Sequence, residues 1–174
     1  MKHKIHSSNK NLHFVQGDIL HSQFKDEMFD KVTARLVFHH ILESTQIAMN
    51  ECYRVLKKGG IMIFSEGVPP SQEVKQDYIE IFKLKEDRLT FMEDDLVALM
   101  ENARFNNINI NIVWLREMSI KRWLISSGLP QDVQRKIFDL HVNAQDYFKT
   151  VYNMVETNGD CLIDMKMIIL TGEK

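Results

Sequence analysis

Cysteine is scarce in this chain. Only Cys52 and Cys161 occur in 174 residues, which excludes a disulfide framework and a zinc site built on paired short spacings. Glycine is sparse too, and its seven residues, at 17, 59, 60, 67, 128, 159 and 172, include no Gly-x-Gly. A nicotinamide oxidoreductase needs a Gly-x-Gly-x-x-Gly turn to bring backbone against a pyrophosphate, so that class is argued against. Charge of one sign is also lacking. A formal net charge of −2 and a pI near 6.4 give no basic field for phosphate, and no nucleic-acid partner is expected. Nowhere do about eighteen apolar residues run together, the length that suggests a membrane span. Met1 to Lys10 is polar and histidine-rich, without the apolar stretch of a secretory signal. A soluble protein of the reducing cytoplasm, with no membrane partner, fits these absences.

What is present suffices for one core: 44% of residues are hydrophobic, and the length is that of one domain, taken as 1–174. Leu12 to Val15, stopped by Gln16 and Gly17, reads as a buried strand with Asp18 at its polar tip. Phe29 to Phe38 is a second strand, with Val32, Ala34, Leu36 and Val37 on its apolar side. Ser44 or Thr45 can cap a helix carrying Ile47, Ala48, Cys52, Val55 and Leu56 at helical spacing, which Gly59 and Gly60 stop. Ile61 to Phe64 is apolar throughout, as in a strand covered on both faces. Strand, strand, helix, strand predicts a parallel crossover and an α/β layered sheet. Further on, helices are expected over Ser71 to Leu84, Glu93 to Asn102, Ser119 to Ser127 and Asp132 to Glu156. Strands are expected over Ile108 to Leu115, with asparagines on one face, and Met165 to Leu170.

In an open α/β sheet, ligands lie beyond the carboxyl ends of the strands. That rule singles out Asp18 and Ile19, the stretch from Ala34 to His40, and Ser65 to Val68. Asp18 is either a solvated turn residue, as aspartate's turn preference favours, or an acceptor for an exocyclic amine such as that of adenine. Glu66 is either a base near a pocket or a solvated loop carboxylate. His39 and His40 are adjacent, and alternation along a strand prevents both from facing one ligand, so packing is expected of them and no metal site.

Three segments carry a resemblance. They are Phe14-Val-Gln-Gly-Asp-Ile19, the stretch from Phe29 through Ala34-Arg35 to His39-His40-Ile41, and Glu51-Cys-Tyr-Arg-Val-Leu-Lys-Lys-Gly-Gly60 with the apolar strand to Phe64. In content, order and spacing they resemble successive motifs of class I, S-adenosylmethionine-dependent methyltransferases of the ubiquinone/menaquinone biosynthesis type. The resemblance implies a Rossmann-like sheet with helices on both faces and methyl transfer from S-adenosylmethionine to a small-molecule acceptor. It implies that Asp18 meets the adenine amine, that Ile19 packs on the base, and that Ala34 and Arg35 lie along the methionine portion. His39, His40, Glu66 and Arg88 would face the acceptor, with Phe82, Leu84, Lys85 and Phe91 in the region that closes over it. No residue is singled out as catalytic, since in-line displacement needs mainly positioning.

That family begins with a strand, a Gly-x-Gly loop, a helix and a second strand, and this sequence offers none of them before Asp18. About sixty residues, two strand-helix units, are expected to be missing. The strand holding Ala34 would then have an orphaned edge, leading either to pairing with Leu12 to Val15 or to a homodimer through that edge. The alternative to an enzyme is a non-catalytic methyltransferase remnant acting as a structural or assembly module.

Overall fold

A computed structural model describes residues 12–174. The polar start at Met1 to Lys10 therefore lies outside the described residues. Five strands form one sheet: β1 (Phe29–Arg35), β2 (Leu56–Val68), β3 (Asn106–Ser119), β4 (Val155–Thr157) and β5 (Asp160–Glu173). Their order is β1-β2-β5-β3, with β4 paired to β5. β1 and β2 are parallel, with Ala34 beside Phe64, whereas β5 runs antiparallel to both β2 and β3. The parallel pair is joined through α1 (Thr45–Val55), the expected crossover helix. The other helices are α2 (Lys75–Lys83), α3 (Glu93–Asn102), α4 (Ile120–Ile125), α5 (Gln131–Val142) and α6 (Asp146–Val151).

Alternate residues of β5 belong to different cores, as strand geometry requires. Ile168 and Leu170 join Met62, Phe64, Cys52 and Met49 under α1 and α3. Cys161 and Ile163 join Tyr78, Phe82, Leu124, Ile137 and Phe148 under α2, α4, α5 and α6. Helices thus cover both faces, the first core over the parallel strands and the second beyond the carboxyl end of β2. On the second core's side of the sheet, Ile63 and Ile169 are half-buried and lie outside both clusters.

Local chemistry sets several boundaries. Gly59 has φ +73°, and a Cβ on Gly60 would approach the Lys57 carbonyl oxygen to 2.7 Å, so the turn between α1 and the apolar part of β2 requires glycine there. Arg54, in the last turn of α1, donates to Glu51, to the Phe24 carbonyl at 2.7 Å and to Asp26, while the Ser22 hydroxyl donates to Glu51 at 2.6 Å. This network fastens residues 22–26 against α1.

Several expectations are corrected. Leu12 to Val15 forms no strand; Phe14 is 63% and Val15 72% exposed, because no neighbouring strand pairs with their backbone. Pairing of that segment with β1 is therefore not the arrangement found, and among the described residues β1 pairs only with β2. β1 ends at Arg35 and not at Phe38, since Leu36 adopts φ +52° and turns the chain into a 3-10 turn over Phe38–His40. The helix expected over Asp132 to Glu156 breaks at Asn143–Gln145 into α5 and α6, and its end becomes β4. Both cysteines are buried free thiols. Among the described residues no helix is long and apolar enough to cross a membrane.

Candidate functional site

Glu66 stands near the carboxyl end of β2 and is fully buried, unlike the solvated loop carboxylate that its sequence context allows. Its cost of desolvation is met by three donors. Oε1 accepts from the backbone N–H of Val37 at 3.1 Å and of Phe38 at 2.9 Å. Oε2 lies 2.6 Å from His39 Nδ1. That contact holds the His39 ring in one orientation. The left-handed turn at Leu36 aims those two N–H groups, and Leu36 N–H itself donates to the Ser65 carbonyl at 2.8 Å. Backbone strain of this kind, about 1–3 kcal/mol, is characteristic of functional sites.

His40 follows, exposed, its ring centroid 4.1 Å from that of His39. Partial burial, and next the neighbouring His39, push its imidazole below the ordinary value. The segment after α2 closes on this pair: Leu89 N–H donates to the His39 carbonyl at 2.9 Å, and Glu86 and Arg88 flank His40. Burial alone would raise the Glu86 carboxyl, but the hydrogen bond and charge of Lys85, together with Arg88, hold it below its ordinary value. His39, His40 and Glu86 each offer a ligand atom within 4.8 Å of the others, the one such triad among the described residues. Lys85 and Arg88 already occupy the Glu86 carboxylate and add two cations, which disfavours a divalent ion there.

Arg88 links this polar group to a cavity. Its guanidinium lies 4.2 Å from the Phe82 ring centroid and 5.6 Å from that of Tyr78, and both rings line the cavity's wall. The cavity begins at Gly67 and Val68, directly after Glu66, and continues between α2, α4, α5, α6 and β5. It encloses about 40 Å³ that a water-sized molecule can reach, and it opens to solvent at its mouth. Trp123, Phe148, Ile163 and Met165 make most of its surface apolar.

The sequence-derived residues thus divide. His39, His40, Glu66 and Arg88 come together at the tips of β1 and β2. Ala34 is buried in the first core and Arg35 is exposed at the end of β1. Asp18 caps a 3-10 turn over Ile19–His21, its Oδ1 accepting from Leu20 N–H at 2.9 Å, and Ile19 is 40% exposed, not packed. Leu20 nevertheless packs on the core that holds Ala34, so both segments attach to the same cluster. An S-adenosyl group has a partial fit: Asp18 Oδ2, with no partner among the described residues, can accept an amine beside an open isoleucine, while no described residue forms a glycine cradle for ribose and methionine. Sequence reasoning missed the cavity wall from α5, where His141 lies four residues beyond Ile137; that spacing on one helix face was the available signal.

The model of a family described as a methyltransferase domain matches residues 1–64. The demethylmenaquinone methyltransferase of Staphylococcus haemolyticus is 31% identical over 121 residues, 58% of this chain and 50% of that protein. Among solved structures, the YcgJ protein of Bacillus subtilis superposes with a TM-score of 0.82 at 21% identity, covering 95% of this chain and 72% of that one. The chain is thus similar to a methyltransferase domain over residues 1–64 and shares its fold with solved methyltransferases. It spans about half the length of the Staphylococcus protein. A Haemonchus contortus phosphoethanolamine N-methyltransferase, solved with S-adenosylhomocysteine, shares this methyltransferase fold at a TM-score of 0.54 and 14% identity, covering 90% of this chain and 36% of its own.

Proposed function

We propose that this chain serves methyl transfer from S-adenosylmethionine to a small-molecule acceptor held in the cavity beyond Gly67. One observation carries the reading: at the tips of the two parallel strands, the polar group around Glu66 and the apolar cavity share the wall formed by Tyr78 and Phe82. S-adenosylmethionine supplies a methyl group activated on a sulfonium. The chain's own contribution is to orient and to exclude water. Asp18 and Ile19 take the adenine, and the backbone at Ala34 with Arg35 lines the methionine side. His39, fixed by Glu66, and His40 face the acceptor, while Arg88 holds the cavity wall against them. A quinone-type acceptor, as in the name of the Staphylococcus relative, is the first to test. Two buried free thiols suit the reducing cytoplasm.

Isothermal titration with S-adenosylmethionine and S-adenosylhomocysteine tests this. Binding is expected in the high micromolar range or weaker, since the glycine cradle is not among the described residues. No heat and no thermal shift at millimolar ligand overturns the reading for this polypeptide. The second reading, a non-catalytic assembly module, is favoured by the outer edge of β1, which has no partner among the described residues. It predicts a stable dimer by light scattering together with no cofactor binding.

A further inference from the structure

The polar atoms facing the cavity beyond Gly67 can be accounted for one by one. The Tyr78 hydroxyl donates to the Gly67 carbonyl at 3.3 Å. The Ser119 hydroxyl donates to Asp160 at 2.5 Å. The Lys166 ammonium is bound to Glu93 and to the Pro70 carbonyl, so no free charge is left to attract an ionic ligand. Two polar groups on buried residues make no side-chain hydrogen bond among the described residues, yet neither is a fully enclosed orphan, the one such atom there being Ser71 Oγ, so both keep some accessible surface. They are His141 Nε2 and the Tyr152 hydroxyl, on residues 3% and 4% exposed. The more exposed Trp123 also lines the wall and has an indole N–H free among the described residues.

The His141 ring has a defined tautomer. Nδ1 lies 2.7 Å from the Ile137 carbonyl oxygen, which can only accept, so Nδ1 carries the proton. Burial pushes the imidazole below its ordinary value, against the opposing pull of that carbonyl, so the ring is neutral at pH 7. Nε2 therefore presents a lone pair. The ring is wedged between Trp123 and Phe148, at centroid distances of 6.4 and 6.0 Å, and Phe148 in turn packs on Tyr152 at 4.4 Å. An apolar side chain would fill this place without leaving an unpaired acceptor in an apolar wall.

We propose that His141 is the hydrogen-bond acceptor by which this cavity selects an apolar molecule carrying a hydroxyl group. The hydroxyl donates to His141 Nε2, and its oxygen can accept from Tyr152. The apolar body of the ligand lies among Phe82, Phe148 and Ile163, where it replaces water against hydrocarbon. This deepens the methyl-acceptor reading and rests on it for the ligand's role, but the ligand chemistry follows from the cavity alone. His141 is a specificity-determining residue in this scheme; it orients the hydroxyl and carries no step of group transfer.

The probes are 1-naphthol and 1-methylnaphthalene, nearly equal in shape and differing by a hydroxyl for a methyl. Titrations use the full chain without S-adenosylmethionine, so a failure of cofactor binding leaves the result readable. Naphthol is expected to bind at least about tenfold more tightly, because a site built to pair a hydroxyl rejects the analogue lacking it. It should also shift the ring nitrogen resonance of His141 in protein labelled with 15N-histidine, which a purely structural histidine would not show. His141→Phe should remove the preference, bringing the affinities for the two probes to within about twofold of one another. If that variant fails to fold, Tyr152→Phe, which deletes one hydroxyl, should narrow the preference severalfold. Equal affinity for the two probes, no binding of either, or an unmoved His141 resonance overturns the proposal.

Discussion

The two cores of this molecule are built in different ways. The first is closely packed around the β1-α1-β2 crossover, with Phe38, Met49, Met62 and Phe64 almost fully buried beneath α1 and α3 and closed from β5 by Ile168 and Leu170. The second is assembled from α2, α4, α5 and α6, helices that enter from two separate stretches of chain, and it leaves a cavity at its centre. The first core fixes the strand tips by close packing, whereas the second leaves open space where its helices meet. Buried packing without voids gives rigidity, and a lined cavity gives recognition at a cost in stability.

Truncation separates the two most sharply. Phe64→Ala should lower the stability of the whole chain by about 3–5 kcal/mol, read as a shift of the denaturation midpoint for every probe. Phe148→Ala removes a ring of the same size from the second core but should cost less globally. Its hydrogen exchange should quicken in α2 and α4 to α6 while β1 and β2 stay protected, and uniform exchange across both would break the distinction drawn here.

Glu66→Gln tests the link between the cores. The amide keeps the shape, and its oxygen can still accept from the two backbone N–H groups, but its NH2 replaces the oxygen that meets His39, so about 1–3 kcal/mol of stability should go with it, measured by urea denaturation. A smaller effect is expected at the periphery of the first core. The hydrogen bond from Arg54, then that from Ser22, holds the Glu51 carboxyl down to about 2 from an ordinary 4.5. The charged form is therefore the stabilising one: its contribution is complete above about pH 4.5 and is lost as pH falls toward about 2. Arg54→Met should flatten the acid limb of the stability curve in that window. The smallest effect is chemical. Burial, chiefly, pushes the Cys52 thiol up to about 12 and that of Cys161 up to about 11, so neither should react with a thiol reagent at pH 7 until the chain unfolds.

Much of the first core was legible in the sequence because its signals are local. The helical spacing of Ala48, Cys52 and Val55 and the apolar run to Phe64 depend on neighbours within a few residues, whereas the helix, expected to include Leu56 and to stop at Gly59-Gly60, ends at Val55, and both glycines lie inside β2. The strand tips were placed nearly correctly for the same reason, and with them His39, His40 and Glu66. The segment Leu12 to Val15 was misread because apolar alternation marks a strand only where another strand supplies hydrogen bonds, and here none pairs with it. Of the second core, the sequence revealed its helices but not their convergence. The break at Asn143–Gln145 carries no proline or glycine, so it left no local mark.

By itself, then, the sequence determined the α/β class, the crossover helix and the polar tips of the parallel strands, since periodicity and turn chemistry act over a few residues. Only the tertiary structure decided that Glu66 is buried and fixes His39, that Arg88 lies on Phe82, and that His141 reaches the cavity. Each of those facts joins residues far apart along the chain, and desolvation and pairing are properties of where such residues meet.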